Sequence, residues 1–314
     1  MSVSKGWLRQ PQKVWLRRAI FQVHLWTGII VGLYIVMISV TGAVVVFRRD
    51  LTLALLPRTV PITGERMTKE QITQAAQAVY PWYEVTDVSD GRRKDAPVFV
   101  SLERAGEKQE RQFNPYTGQD IGDTNPAAIQ WMEWLVDLHD NLLAGSTGRM
   151  VNGIGGIATL LLCMTGIVIW WRGIANWYRG FLVLPTRNWN RVNFDLHSAF
   201  GCWSLFFLLI WAVSGIYFGF PGLFQEALDA YEPPTDENYG GRSVDHLVTW
   251  LVRMHFGRFG GTGVRIFYFV VGLVPAALFM TGAIMWWNRV LRRWVAAIPM
   301  SASRSRGRLK EVAE

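Results

Sequence analysis

Cysteine is scarce in this chain: the 314 residues hold two, Cys163 and Cys202, each inside an apolar run. A disulfide framework is therefore excluded, and both thiols read as packed core residues. No Cys-x-x-Cys-His occurs, so covalent c-type haem attachment is not expected. Neither a P-loop nor a glycine-rich dinucleotide fingerprint is present, so no nucleotide site is expected. Histidine is rare too, with five residues: His24, His139, His197, His246 and His255. Acidic residues are missing from residues 1–19 and 172–192, and after residue 287 there are two, Glu311 and Glu314.

What fills the chain instead is apolar. Half of the residues are hydrophobic, the mean hydropathy is +0.16, and there are 16 Trp and 17 Phe, a balance that suits a membrane protein with a polar portion. Four apolar runs, roughly 20–47, 149–171, 196–219 and 264–287, reach the about 20 residues needed to cross a hydrocarbon core of ~30 Å. The first is not a cleaved signal peptide, being too long and carrying His24 and several aromatics. Five basic residues (Lys5, Arg9, Lys13, Arg17, Arg18) precede the first run, four (Arg172, Arg179, Arg187, Arg191) lie between the second and third, and seven follow the fourth. By the positive-inside rule both termini and the 172–192 loop are expected in the cytoplasm, with segment 48–135 and the 220–250 loop outside. These anchors account for the net charge of +8, so no nucleic-acid partner is expected; the partner is the lipid bilayer.

The chain repeats itself. Trp134-Leu135-Val136-Asp137-Leu138-His139 returns 116 residues later as Trp250-Leu251-Val252-Arg253-Met254-His255. In the same register Gly145 falls on Gly261, Arg149 on Arg265, Gly156 on Gly272, Met164-Thr165-Gly166 on Met280-Thr281-Gly282, and Trp170-Trp171 on Trp286-Trp287; 13 of 38 positions are identical. At an offset of 173, Arg18 falls on Arg191, Phe21 on Phe194, His24 on His197, Gly28 on Gly201 and Gly42 on Gly215. The chain is thus two copies of a two-helix unit, and four of its five histidines occupy repeated positions. His246 aligns with Gln130 and reads as a bystander.

The rest of the chain follows in order. Thr68 to Tyr80, with a capping Thr, an early Glu70 and apolar Ile72, Ala75, Ala76 and Val79, reads as a helix ended by Pro81. Strands are expected at 84–88, 97–102 and 109–113, with turns at Asp90-Gly91 and Ala105-Gly106, and Asn114-Pro115-Tyr116-Thr117-Gly118 as a turn closing the last strand. Residues 64–122 are therefore expected to form one helix on a small antiparallel sheet. Residues 126–143 read as an amphipathic helix with Ile129, Met132, Val136 and His139 on one face, followed by a break at Gly145-Ser146-Thr147-Gly148. The outer loop 220–245 reads as polar and not structured on its own.

The chemistry rests on the histidines. An ionisable residue at membrane depth is costly and marks function by default. His24 and His197 each follow an inside Arg by six residues and share the cytoplasmic depth, while His139 and His255 share the opposite side. Two pairs at two depths suit two metal centres, and neutral imidazole suits haem iron, copper or zinc. No Cys or acid repeats beside the histidines, as a zinc site would usually require. Two imidazoles on one haem leave no open position, which suits electron transfer. Gly28, Gly201, Gly145 and Gly261 leave room for a flat macrocycle. Arg149 and Arg265 suit either haem propionates or lipid headgroups.

The stretches Val23-His24-Leu25-Trp26-Thr27-Gly28, Leu138-His139 leading to Gly145, and Asp195-Leu196-His197-Ser198 resemble the PepSY-associated transmembrane family, which includes periplasmic-facing ferric-siderophore reductases. The resemblance covers nearly the whole chain, and the outer module with its Asn114-to-Gly118 turn looks like a PepSY domain. It implies an all-α four-helix transmembrane bundle with a small α+β periplasmic PepSY-like domain, in a bacterial inner membrane. It also implies two b-type haems, whose iron ligands carry over to His24, His139, His197 and His255, moving electrons outward to a ferric siderophore or other ferric chelate. The divisions are then 1–48, lead-in and first membrane helix; 49–125, PepSY-like domain; 126–172, interfacial helix and second membrane helix; 173–220, cytoplasmic loop and third; 221–314, outer loop, fourth helix and basic tail. The second outer loop is shorter than in larger relatives, which leaves substrate recognition open. Two other readings stay open: a quinol-linked cytochrome serving another periplasmic partner, and a membrane-tethered binding or regulatory module without redox activity. Without a nucleotide site, electrons would come from quinol or from a cytoplasmic reductase.

Overall fold

A computed structural model describes residues 11, 14–56, 59–91, 93–235, 241–292 and 294. Lys5, Arg9 and Lys13 of the lead-in, residues 236–240 of the second outer loop and the basic tail with Glu311 and Glu314 lie outside the described residues. The chain divides at Ala43/Val44 and at Leu138/His139, giving one unit made of both ends of the chain and a second, Val44–Leu138.

In the first unit, helices α1 (Trp15–Val45), α5 (Gly145–Trp170) and α6 (Trp189–Gly219) are each long and apolar enough to cross a membrane, as is the stretch Thr262–Leu291. Their outer faces carry large apolar side chains, Ile30 and Leu33 of α1 being 77% and 76% exposed and Trp203 of α6 71%. Exposed apolar surface on this scale marks a face that meets lipid or a partner. Shorter helices complete the unit: α7 (Pro221–Tyr231), α8 (Ser243–Phe256), α9 (Thr262–Gly272) and α10 (Val274–Trp286).

The fourth apolar run is not one straight helix. It is interrupted between α9 and α10, where Pro275 has no N–H to give. Ser39 of α1 fills the gap: its hydroxyl donates to the Gly272 carbonyl at 2.5 Å and accepts from the Ala276 N–H at 3.2 Å. One side chain thus replaces the broken rung of the helix ladder.

Two sequence expectations about loops are corrected here. The loop 220–245 is structured over α7, and Arg242 behind it is buried, paired with Asp229 at 2.6 Å and with Asp245 at 2.8 Å. The Glu232 carboxylate accepts from the Ser243 and Val244 N–H groups, both at 3.1 Å, and so caps α8. The break before α5 starts earlier than Gly145–Gly148 and is shorter: Leu142, Leu143 and Gly145 hold φ values of 53°, 59° and 57°, and the helix runs on from Gly145 through Ser146, Thr147 and Gly148. Leucine rarely adopts this conformation, at a cost of about 1–2 kcal/mol per residue.

The second unit contains α2 (Arg48–Leu55), α3 (Lys69–Val79), strands β1 (Glu84–Ser89), β2 (Val98–Arg104), β3 (Glu107–Phe113) and β4 (Asp120–Asp123), and most of α4 (Ala127–Asn141). The cap expected at Thr68 is a reciprocal box: Thr68 Oγ1 accepts from the Gln71 N–H, and Gln71 Oε1 accepts from the Thr68 N–H at 2.8 Å. The strands form an antiparallel meander in the order β1-β2-β3-β4. Alternation on β2 buries Val98, Val100 and Leu102, and these meet Ile72 and Ala76 of α3 with Phe113 of β3. Ala105 and Gly106, both at positive φ, make the β2–β3 turn.

One helix on a small antiparallel sheet is thus present, with a correction. Asn114–Gly118 does not close the last strand but links β3 to the unexpected fourth strand, with Asn114 Oδ1 accepting from the Tyr116 N–H at 2.9 Å. Asp120 of β4 accepts from Tyr80 and Arg111. Burial works against its charge, but these hydrogen bonds prevail and hold its carboxyl below the usual range.

Candidate functional site

The two repeats meet at their histidines. His24 of α1 faces His197 of α6 with ring centroids 6.4 Å apart, and His139 at the end of α4 faces His255 at the end of α8, also at 6.4 Å. His24 and Thr41 are 17 residues apart on α1, and His197 and Ser214 are 17 apart on α6. Thr41 and Ser214 contact the second histidine pair, so the two pairs lie about 25 Å apart along the helices.

Every ring is held in the same way. His24 Nδ1 meets Thr165 Oγ1 at 2.9 Å, His197 Nδ1 meets Thr281 Oγ1 at 2.9 Å, His139 Nδ1 meets Thr41 Oγ1 at 3.1 Å, and His255 Nδ1 meets Ser214 Oγ at 2.6 Å. Each hydroxyl has one proton, and each gives it to the carbonyl four residues back: Leu161, Ala277, Met37 and Ile210. Towards histidine the oxygen therefore accepts, so Nδ1 carries the hydrogen and the Nε2 lone pair is free. The Ile38 carbonyl, 3.1 Å from His139 Nδ1, requires the same tautomer. This is how proteins fix an imidazole that binds a metal through Nε2.

A glycine follows each hydroxyl, at Gly42, Gly166, Gly215 and Gly282. A Cβ on Gly42 would stand 2.7 Å from His139 Cε1, and one on Gly166 or Gly282 would stand 3.4 Å from the Cε1 of His24 or His197. The pair Ser/Thr-Gly thus gives three of the helices a hydroxyl to hold a ring and a bare surface to let it in, while a Cβ on Gly215 would meet Gly156 Cα at 3.9 Å instead of a ring. Outside the spanning segments, burial pushes the His139 and His255 imidazoles below the usual range, His255 to about 3 with His139 adding to its shift, so both are neutral at pH 7.

The sequence reading paired these four histidines but passed over Thr41 and Ser214. The signal was there: each precedes a repeated glycine, as Thr165 and Thr281 do, but the change from Thr to Ser hid it. His246 is exposed on α8 and joins neither pair. Arg149 donates to Asp140, and Arg265 Nη2 donates to Thr262 Oγ1 at 2.9 Å. A Cβ on Gly28 or Gly201 would make ordinary contact with Leu162 or Leu278, and one on Gly145 or Gly261 would meet open space.

The donor set limits the chemistry. Among the described residues no group of three or more His, Cys, Asp or Glu is placed to hold a metal ion. Structural zinc asks for four protein ligands, and each centre offers two. An imidazole nitrogen sits about 2 Å from its metal, so two rings on opposite sides of one ion have centroids about 6 Å apart. Both pairs have that spacing.

At the end of the helices that carries His24 and His197, Asp195 is fully buried and paired with Arg191 at 3.0 Å and Arg172 at 3.5 Å. Asn193 beside it donates to the Thr281 carbonyl at 2.9 Å.

The chain shares 30% identity over 110 residues with the Pseudomonas aeruginosa protein named Uncharacterized protein PA4219, a match covering 34% of this chain. That match takes in 26% of the relative's own length, so the chain spans about a quarter of it. The family described as the PepSY-associated TM region matches residues 21–237 and 230–289. With four apolar helices spanning that match, this is a multi-pass membrane protein, and it belongs to the PepSY-associated TM region family.

Proposed function

We propose that this protein carries electrons across a bacterial inner membrane through two bis-histidine b-type haems and acts as a ferric-siderophore reductase, its substrate a ferric siderophore or other ferric chelate in the periplasm. The observation that carries the reading is the pair of facing imidazoles at each of two depths, every one locked with Nε2 free. The residues fit the group: two imidazole rings at the right centroid spacing, glycines beside three of the four rings, and no cluster of three or more His, Cys, Asp or Glu among the described residues. When bound, such a haem supplies reversible one-electron chemistry.

The chain's own part is to hold, space and insulate. His24 and His197 supply the inner ligands, and His139 and His255 the outer ones. Thr165, Thr281, Thr41 and Ser214 orient them and raise their basicity by accepting from Nδ1. With an imidazole supplied from each side, the bound group would have no position left for a small ligand, which suits electron transfer. The separation of about 25 Å places one centre in each half of a ~30 Å core. Arg17, Arg18, Arg172, Arg179, Arg187 and Arg191 support a cytoplasmic inner end and a periplasmic segment 48–135 by the positive-inside rule. The donor is quinol or a cytoplasmic reductase.

The test is the purified protein's reduced-minus-oxidised spectrum, with haem content. Two haems per chain, both reoxidised by a ferric siderophore, are expected. A protein without a b-type Soret band sinks the reading, and one that is reduced by quinol yet ignores ferric chelates is a cytochrome for another partner.

The hydroxyls give a finer prediction. Thr165→Val and Thr281→Val make the inner ligands less basic, which destabilises the oxidised metal, so the midpoint potential of one spectral component rises. Thr41→Val and Ser214→Ala raise the other. Optical redox titration reads the shift, and unmoved potentials in all four variants rule out hydroxyl control of the rings.

A further inference from the structure

The two halves of the chain part company at one inner position. Arg17 corresponds to Asn190 at the offset of 173, and Arg172 corresponds to Asn288 at the offset of 116. In the second half these two positions satisfy each other: Asn288 Nδ2 donates to Asn190 Oδ1 at 3.1 Å. In the first half the same meeting place holds two guanidinium groups within electrostatic reach of one another. Like charges repel, the more so as water is removed, and the Arg172 side chain is only 13% exposed.

What neutralises them falls short. Arg17 Nη2 donates to the Ile169 carbonyl at 2.5 Å, and Arg172 Nη2 donates to Ser198 Oγ at 3.3 Å, neither of which brings a negative charge. Asp195 does, but it is shared between Arg172 and Arg191, and Arg179 also acts on Arg172. Among the described residues, the four cations Arg17, Arg172, Arg179 and Arg191 against this one carboxylate leave a local excess of three positive charges.

The place of this excess is informative. Asp195 stands two residues before His197, about 3 Å along the helix. Arg17 stands seven residues before His24, two turns away on the same helix face and about 10 Å along it. The charge is thus turned towards the inner histidine pair. Arginine's planar fork matches a carboxylate with two parallel hydrogen bonds.

We infer that Arg17 and Arg172 receive the two carboxylates of the group held between His24 and His197. The carboxylates take the part that the Asn190–Asn288 bond takes in the second half. The inference rests on the haem reading above and adds an orientation: the acidic edge of the inner group points to the first half of the chain and to the cytoplasmic end.

The experiment is a redox titration of the full-length protein in nanodiscs of neutral lipid, on Arg17→Gln, Arg17→Lys and Arg172→Gln. Arg172→Gln leaves Asp195 its Arg191 partner, and Arg17→Gln touches no acid, so at least one variant folds. Loss of a cation beside the metal disfavours the reduced form. The inner component, identified by its loss in His24→Ala, is expected to move to lower potential in both Gln variants. The outer component should hold still, and Arg17→Lys should stay near the parent. An inner component unmoved in Arg17→Gln and Arg172→Gln overturns the inference, and so does an equal shift of both components. An effect seen only when anionic lipid is added also overturns it, because the cradle then serves a phosphate headgroup. Wild-type protein lacking any b-type spectrum fails the parent reading instead, and this one with it.

Discussion

Replacing His139 or His255 with alanine removes one of the two spectral components or turns it into a five-coordinate form, and leaves the other untouched. Replacing His24 or His197 does the same to the other component. The independence follows from the geometry: the pairs share no residue, use different hydroxyls and lie about 25 Å apart. The loss is severe because each centre has two protein donors and no third waits nearby among the described residues. His246→Ala is the control, since its ring is exposed on α8 and joins neither pair. Haem-to-protein stoichiometry and the reduced spectrum decide the matter. If His246→Ala cost a component while His255→Ala kept both, the outer centre would be wrongly assigned.

Gly156→Leu is expected to abolish the folded protein. A bare Cβ on Gly156 would already stand 2.9 Å from the Ala212 carbonyl and 3.0 Å from the Ile216 nitrogen. Both are backbone atoms of α6, which cannot step aside as a side chain would. Small residues at such crossings are what let membrane helices approach. Gly156→Ala alone should cost about 1–3 kcal/mol, as overpacking usually does. A Cβ on Gly272, its repeat partner, would stand 3.3 Å from the Ala43 Cβ of α1, a tight contact but less severe than that at Gly156, so Gly272→Ala should be milder. Gly263→Ala, whose Cβ meets nothing within 4 Å, should be neutral or slightly stabilising. Yield of monodisperse protein and the midpoint of thermal unfolding check the series, and a well-folded Gly156→Leu would mean that the helices do not cross there.

Much of this arrangement was legible in the sequence because the chain states it twice. A lone histidine near a membrane helix says little, but His139 and His255 lying 27 residues before Gly166 and Gly282 identify themselves as a set. The capped helix at Thr68 and the alternation of Val98, Val100 and Leu102 could be read locally, since their causes lie within a few residues. What escaped has distant causes. The interruption at Leu273 depends on Ser39, 233 residues from Gly272. Helix α7 sits among polar residues and ends against Arg242, which holds Asp229 across a gap that composition alone describes as loop. The reversal at Leu142 and Leu143 escaped because glycine is the usual sign of positive φ: Gly145, also at positive φ, marked the end of the break but not its start.

Each ring leans on a hydroxyl of its own half, and each facing pair takes one ring from each half. A polypeptide of one half, meeting a copy of itself about an axis along the membrane normal, would therefore assemble both centres complete. In such a dimer the axis passes between the rings, and the surroundings of each centre are forced to be identical on its two sides. Joining the halves into one chain lifts that constraint. One copy can then change while the other stands, as Arg17 and Arg172 differ from Asn190 and Asn288. The covalent link thus gives a symmetric cage a front and a back, which no pair of identical chains can have.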